Sequence, residues 1–361
     1  MSESEKLQAL RKRINELDEK IQQLISERGL VAKEVATAKL EGGNETAFYR
    51  PEREAQVLRK VKERNQGPFS DEEIARLFRE IMSACLALEQ PMTIAYLGPE
   101  GTFTQAAALK HFGHSVSTMP LVAIDEVFRE VESGTADYGV VPVENSTEGV
   151  VNYTLDMFMR SVLKICGEVD IRVHQNLLSK SPNLNTIDKV YSHQQSLAQC
   201  REWLDTHLPG VERITVKSNA EAARIAGEQA GAAAIASDVA AKLYDLNIVK
   251  ANIEDDPDNT TRFLVIGKDV TPPSGADKTT LLVSARNKPG ALWSLLQPFA
   301  ETNISLTRIE SRPSRVGMWE YVFFIDIEGH ADDPQISEAL QKLQQESSML
   351  KILGSYPKAV L

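Results

Sequence analysis

Cysteine is scarce: the 361 residues hold three, Cys85, Cys166 and Cys200, far apart and without a Cys-x-x-Cys pair. That spacing suggests neither a disulfide framework nor a thiolate metal site, and it suits a reducing cytoplasm. No apolar run approaches the ~18 residues needed to span a bilayer. The opening MSESEKLQAL lacks a basic-then-apolar leader. Positive excess is missing too, since 40 Lys and Arg face 51 Asp and Glu, a formal charge of −11. Broad binding to nucleic acid or an anionic membrane is therefore not expected. His111 and His114 have no Cys or acidic partner in sequence, so they read as solvated surface residues, and no metal or organic cofactor is implied. The apolar and charged fractions, 42% and 25%, are those of a globular chain with room for two or three domains.

What is present begins with a charge in an apolar seam. Leu7, Leu10, Ile14, Leu17, Ile21, Leu24, Val31, Val35 and Ala38 follow a three-four spacing, and Arg28 fills the one skipped position. The spacing predicts a helix from about residue 6 to 40 with one buried stripe. A guanidinium there needs a negative partner. A register-fixing pair with a glutamate is one reading, and a pocket for a small anion is the other. Arg11 and Lys39 each follow a seam residue and flank the same stripe. Such a helix spans roughly 50 Å, longer than a compact ninety-residue bundle, so its seam is expected to be covered by a second copy of the chain. A shared pocket would then draw Arg11 from the other subunit.

Two further helices are expected before residue 91, one opening at Arg50-Pro51 and one capped by Ser70-Asp71-Glu72-Glu73. The third repeats the seam at Ile74, Leu77, Ile81, Ala84 and Leu88, with Cys85 and Glu89 on one face beside it. From Met92 short apolar strands alternate with helical stretches, an α/β pattern expected to use parallel strands. Three strands run into polar, hydroxyl-rich loops that open helices, at Gly98–Thr104, Glu144–Gly149 and Ser192–Ser196. Loops at the carboxyl ends of strands and free helix N–H groups suit a small anionic or polar substrate. Residues 270–278 read as a linker. The remainder, 279–361, has the βαββαβ order of a ferredoxin-like α+β unit.

These residues resemble the bifunctional chorismate mutase/prephenate dehydratase family of phenylalanine biosynthesis, across essentially the whole chain. Residues 1–91 resemble the all-α mutase, a helical dimer, through Leu10-Arg11, Ser26-Glu27-Arg28, Ala38-Lys39-Leu40 and Arg53-Glu54. Residues 92–269 resemble the two-lobed, periplasmic-binding-protein-like dehydratase through Gly98–Phe103, Pro142–Ser146, Tyr191-Ser192-His193 and Thr261-Arg262-Phe263. Residues 279–361 resemble an ACT regulatory domain through Pro289–Leu292 and Glu310–Pro313.

The resemblance implies chorismate, prephenate and phenylalanine as ligands, and a homodimer or higher oligomer. It places chorismate among Arg11, Arg28, Lys39, Arg50, Glu54, Cys85 and Glu89, with Arg11 and Arg28 on the carboxylates, Lys39 on the ether oxygen and Glu54 on the ring hydroxyl. The family commonly has an acid where Arg50 stands, Ser at Cys85 and Gln at Glu89, so Glu89 could donate to the ether oxygen only while protonated. Prephenate is implied at Gly101, Thr102, Phe103, Thr104, Glu144, Asn145, Ser146, Ser192, His193, Arg262 and Phe263. Thr261 is implied as the essential hydroxyl, with His193 as the alternative proton source. Phenylalanine is implied at Gly290, Ala291, Leu292, Glu310, Ser311, Arg312 and Pro313, at a subunit interface. Two other readings compete: a non-catalytic amino-acid sensor with a helical dimerisation segment, and a mutase joined to a dehydrogenase. The latter needs a Gly-x-Gly-x-x-Gly after a strand, which is missing.

Overall fold

The computed structural model describes residues 3–41, 48–284, 289–314 and 321–361. The expected break at Gly42-Gly43, the end of a strand at Ala285 and the start of another at Trp319 lie outside the described residues.

Helix α1 (Glu3–Glu41) runs unbroken for 39 residues. Pro51 occupies the first turn of α2 (Pro51–Glu63), where its fixed φ already suits the helix. Ser70 caps α3 (Asp71–Glu89) by accepting from the Glu73 N–H at 3.1 Å. Helices α2 and α3 bury Leu58, Ala75 and Met82 between them. At Gly29, α1 comes close to the Leu88 side chain of α3. In the single chain the α1 seam is open: Leu10, Leu17, Leu24 and Val31 are 56%, 48%, 64% and 51% exposed. The α3 seam is open as well at Leu77 and Leu88. Helix α3 turns Arg79, Met82 and Ser83 inward instead, because that face packs on α2 and on the following unit.

The first lobe of the α/β unit contains β1 (Thr93–Leu97), α4 (Phe103–Phe112), β2 (Ser117–Leu121), α5 (Ile124–Ser133), β3 (Tyr138–Asn145), β4 (Gly149–Val150), α6 (Asn152–Arg160) and β5 (Lys164–Arg172). The second contains β6 (Asn176–Ser179), β7 (Lys189–Ser192), α7 (Gln194–Gln199), α8 (Arg201–His207), β8 (Glu212–Thr215), α9 (Asn219–Glu228), β9 (Ala232–Ala236), α10 (Asp238–Leu243) and β10 (Asn247–Lys250). Strand β11 (Thr260–Gly267) then returns to the first lobe. The sheets are ordered β2-β1-β3-β11-β5 and β10-β6-β9-β7-β8. Pairs such as β1–β3 and β7–β9 are parallel as expected, but β11 lies antiparallel to both β3 and β5. It enters from the hinge side after the excursion through the second lobe, so it must run the other way. That reversal puts Thr261 in register with Asn145.

The last unit is β12 (Asp277–Ser284), α11 (Ala291–Glu301), β13 (Leu306–Pro313), β14 (Tyr321–Glu328), α12 (Pro334–Glu346) and β15 (Met349–Pro357). Its antiparallel sheet is ordered β13-β14-β12-β15. The preceding residues 270–276 form no helix or strand, yet they are not a loose tether. Thr271 and Ser274 are buried, and Arg59 of α2 donates to the carbonyls of Ser274 and Ala276 at 3.0 and 2.8 Å. Gly354 lets β15 lie directly on β5, since a Cβ there would collide with the Ile165 backbone. The three units therefore pack on one another through specific side chains.

Candidate active sites

Helices α1, α2 and α3 bring four of the expected residues together. Lys39 Nζ lies 3.9 Å from Glu89 Oε2 and 3.4 Å from the Phe48 carbonyl, and stands over the Phe48 ring at 5.2 Å. Burial pushes the Glu89 carboxyl up, while Lys39 and Arg28 pull it back, and the net direction is upward. Burial likewise raises Glu54, against Arg79 and then Arg28. Arg28 thus faces both carboxylates while its own side chain stays exposed in one chain. Cys85 is buried one turn before Glu89. Arg50 is turned away, with its Nε 2.6 Å from Glu52. Arg11 is seventeen residues from Arg28, about 26 Å along the helix, and does not join the cluster of its own chain. Glu54 is held by Arg79, a partner not anticipated from sequence.

Between the two α/β lobes lies a cleft of about 420 Å³. At its first-lobe wall Asn145 Nδ2 donates to Thr261 Oγ1 and to Asn259 Oδ1, both at 2.8 Å. Asn145 Oδ1 accepts from the backbone N–H groups of Thr147 and Glu148 at 3.0 and 3.1 Å, which fixes the amide's orientation. Because Thr261 Oγ1 already accepts, its own hydrogen is left for the cleft. On the second lobe, Ser192 Oγ lies 2.9 Å from both Asn219 Oδ1 and the Ile235 carbonyl, and its single hydrogen is shared between these two acceptors. His193 Nδ1 accepts from the Gln195 N–H at 3.4 Å, which leaves Nε2 to carry the ring proton of the neutral form. Gly101, Thr102 and Phe103 also line the cleft.

Several expected contacts lie elsewhere. Arg262 points away from the cleft and binds Glu168 at 2.9 Å, Asp326 at 2.6 Å and the Tyr356 hydroxyl at 3.0 Å. Phe263 is core, at 2% exposure. Glu144 binds Arg308 of β13 at 2.9 Å. The alternation of a strand explains Arg262 and Glu144, which adjoin the cleft residues Thr261 and Asn145 and so face the other way, whereas Phe263 lies past a register shift in β11 and packs into the core with Ile94, Tyr96 and Phe112. Ser192 is buried behind the cleft wall, Thr104 is buried on α4, and Ser146 accepts from Thr260 N at the strand end. His111, expected at the surface, is half-buried and bonded to the Tyr49 hydroxyl at 2.9 Å, its imidazole held well below the usual pKa by desolvation and by Arg79.

Sequence reading missed several cleft residues. Gln199 Nε2 donates to Glu148 Oε1 at 2.9 Å across the cleft, and Gln175 Nε2 donates to Ser196 and Gln199 at 3.0 and 3.1 Å. Gln175 Oε1 has no partner among the described residues. Ser218 and Ser237 cap α9 and α10 at the cleft rim, each accepting a backbone N–H from the helix, and Ser237 Oγ also donates to the Gly101 carbonyl at 3.0 Å. The signal was available: Ser218-Asn219 and Ser237-Asp238 repeat the strand–polar loop–helix pattern of the three loops singled out.

In the last unit Gly290 adopts φ +79° ahead of α11, with open space where a Cβ would be. Ala291 and Leu292 follow it, and Glu310, Ser311 and Pro313 lie on the edge strand β13. Arg312 is turned toward α6, bound to Asn152 and Asp156 at 2.7 and 2.8 Å.

A chorismate mutase type II model matches residues 10–90, a prephenate dehydratase model residues 94–271, and an ACT domain model residues 279–345. The bifunctional chorismate mutase/prephenate dehydratase of Pseudomonas aeruginosa is 59% identical over the full length of both chains. That of Neisseria gonorrhoeae is 54% identical over 97% of each. Among solved structures, the Arthrobacter aurescens prephenate dehydratase in complex with L-Phe aligns with a TM-score of 0.68 at 35% identity, over 73% of this chain and 89% of that one.

Proposed function

The chain belongs to the bifunctional chorismate mutase/prephenate dehydratase family, and from that premise we propose how its residues divide the work. The enzyme rearranges chorismate to prephenate and converts prephenate to phenylpyruvate. The first step is pericyclic and needs no acid, base or nucleophile, so positioning and electrostatics supply its rate. Arg28 and the partner subunit's copy of Arg11 take the two carboxylates. Lys39 and protonated Glu89 donate to the ether oxygen, and Glu54 accepts from the ring hydroxyl.

The second step runs in the interlobe cleft. The bond from the ring to its carboxylate breaks and carbon dioxide leaves. The electron pair moves through the ring to aromatise it, and the para hydroxyl departs with one proton as water. Thr261, polarised by Asn145, donates to that hydroxyl, and His193 binds beside it. The observation that carries this assignment is the free Thr261 hydrogen next to a cleft rimmed by helix N-termini at Thr102, Ser218 and Ser237, which suit a carboxylate.

The open α1 seam supports a dimer that covers it with a second α1 and so completes the mutase site. Phenylalanine is proposed to bind the Gly290 and β13 edges at an interface between copies and to inhibit. The Arthrobacter protein was solved with L-Phe. The buried free cysteines suit the cytoplasm. Incubating purified protein with chorismate, with and without phenylalanine, tests the whole reading. Phenylpyruvate should form and phenylalanine should suppress it. Prephenate accumulating without phenylpyruvate would remove the cleft assignment.

A further inference from the structure

Glu54 sits where three units meet. It lies in the first turn of α2 with its side chain 14% exposed, and Arg79 of α3, 8% exposed, donates through Nη1 to Glu54 Oε1. The same Nη1 donates to the backbone carbonyl of His111, in the last turn of α4. His111 is fixed in turn by the Tyr49 hydroxyl, and Tyr49 lies two residues before the start of α2. The guanidinium therefore ties a helix of the mutase domain to the carboxylate of another mutase helix and to a carbonyl of the dehydratase domain.

We propose that Arg79 is a positioning residue of the mutase site, holding the Glu54 carboxylate for the chorismate ring hydroxyl from an anchor on the dehydratase domain. The proposal rests on the assignment of Glu54 to that hydroxyl. Two charges explain why an arginine is needed. Arg28 also faces Glu54, but it is the cation assigned to a substrate carboxylate. Were Glu54 to rely on Arg28 alone, the two would neutralise each other and the substrate would lose its anchor. Arg79 supplies the buried counter-charge from behind, which leaves Arg28 free to face the substrate. The carbonyl of His111 takes a second hydrogen of the same guanidinium and prevents it from swinging away.

The groups facing Glu54 define its response to pH. They are Arg28 from α1, Arg79 from α3 and Tyr49 ahead of α2. Lys110 and His111 of α4, Glu168 of β5 and Lys358 beyond β15 line the cavity beside it. With Arg79 gone, burial dominates and Glu54 takes up a proton, which costs it the acceptor role until the pH is raised.

The test uses the full-length enzyme, with chorismate and prephenate turnover followed separately across pH. Arg79→Gln should lower mutase kcat/KM by about tenfold or more, the worth of a charge-assisted hydrogen bond. Measured against the parent at each pH, that deficit should shrink as pH rises. Arg79→Lys should retain most activity, and prephenate turnover should stay within about twofold. Glu54→Gln should lose mutase activity with a deficit that does not shrink. An Arg79→Gln enzyme with normal mutase activity, with a pH-independent deficit, or with both activities lost together overturns the role of Arg79. If Glu54→Gln is fully active, the assignment of Glu54 itself is wrong.

Discussion

Thr261 and Arg262 are neighbours on β11 that face opposite sides of the sheet, one into the dehydratase cleft and the other into the ACT unit. Thr261 accepts from Asn145 at 2.8 Å, while Arg262 reaches Asp326 of β14 at 2.6 Å and Tyr356 of β15 at 3.0 Å. The same split recurs on β3, where Asn145 faces the cleft and Glu144 binds Arg308 of β13 at 2.9 Å. Both strands that carry the Asn145–Thr261 pair are thus pinned from behind by the regulatory sheet. A ligand that favours one setting of that sheet can bias the pair through these bonds, provided it binds the two settings unequally.

Asp326→Asn should therefore weaken inhibition more than it weakens catalysis. The variant keeps a hydrogen-bond acceptor for Arg262 but removes the charge, so about threefold or more extra phenylalanine should be needed for half inhibition, in line with typical couplings. Arg262→Met is harsher, because it leaves Glu168 and Asp326 buried with a cation removed, and it should cost about 3 kcal/mol of stability. Dose–response curves for phenylalanine and thermal melts read the two effects. Unchanged inhibition in Asp326→Asn would mean that the signal travels elsewhere.

Thr261→Ala should reduce prephenate turnover by about a hundredfold or more, the usual worth of a positioned proton donor, and leave chorismate rearrangement unaffected. Thr261→Ser should keep most of the activity, since it retains the hydroxyl beside Asn145. His193→Asn separates the alternatives. A rise in KM alone assigns His193 to binding, whereas a comparable fall in kcat would make it the proton source.

The seam of α1 offers a test of assembly. Leu17 and Leu24, 48% and 64% exposed in one chain, should be buried by a second copy. Replacing both by Glu should yield a monomer by sedimentation, abolish mutase activity through loss of the partner's Arg11, and spare the dehydratase. A monomeric variant with full mutase activity would show that each chain builds its own site.

Periodicity made the helical unit and the βαββαβ unit legible, since three-four spacing and strand–helix alternation are local. Partner choice was not. Nothing around Arg262 in sequence distinguishes a residue facing substrate from one facing Asp326, because the distinction depends on which sheet packs behind β11. His111 read as surface for the same reason: its burial comes from Tyr49, sixty-two positions earlier. Conversely, Ser237 and Asn219 reach the cleft through a strand–loop–helix pattern that was present but repeated more often than it was followed.

Glu89 supplies the sharpest pH prediction. Its carboxyl is 3.9 Å from Lys39, and burial raises its affinity for the proton more than Lys39 and Arg28 together lower it. Only the protonated acid can donate to the ether oxygen of chorismate, since a carboxylate there repels the charge that develops as the bond breaks. A raised pKa means the donor persists to a higher pH than for a free glutamate and is then lost as pH climbs through that value. Mutase kcat/KM should accordingly fall toward alkaline pH, whereas Glu89→Gln, an amide that donates at any pH, should show no such limb and should match or exceed the parent at the top of the range. The dehydratase, whose cleft does not contain Glu89, should show the same profile in both proteins. An alkaline limb that survives in Glu89→Gln would place the titrating group elsewhere in the mutase site and leave Lys39 as the sole donor to the ether oxygen.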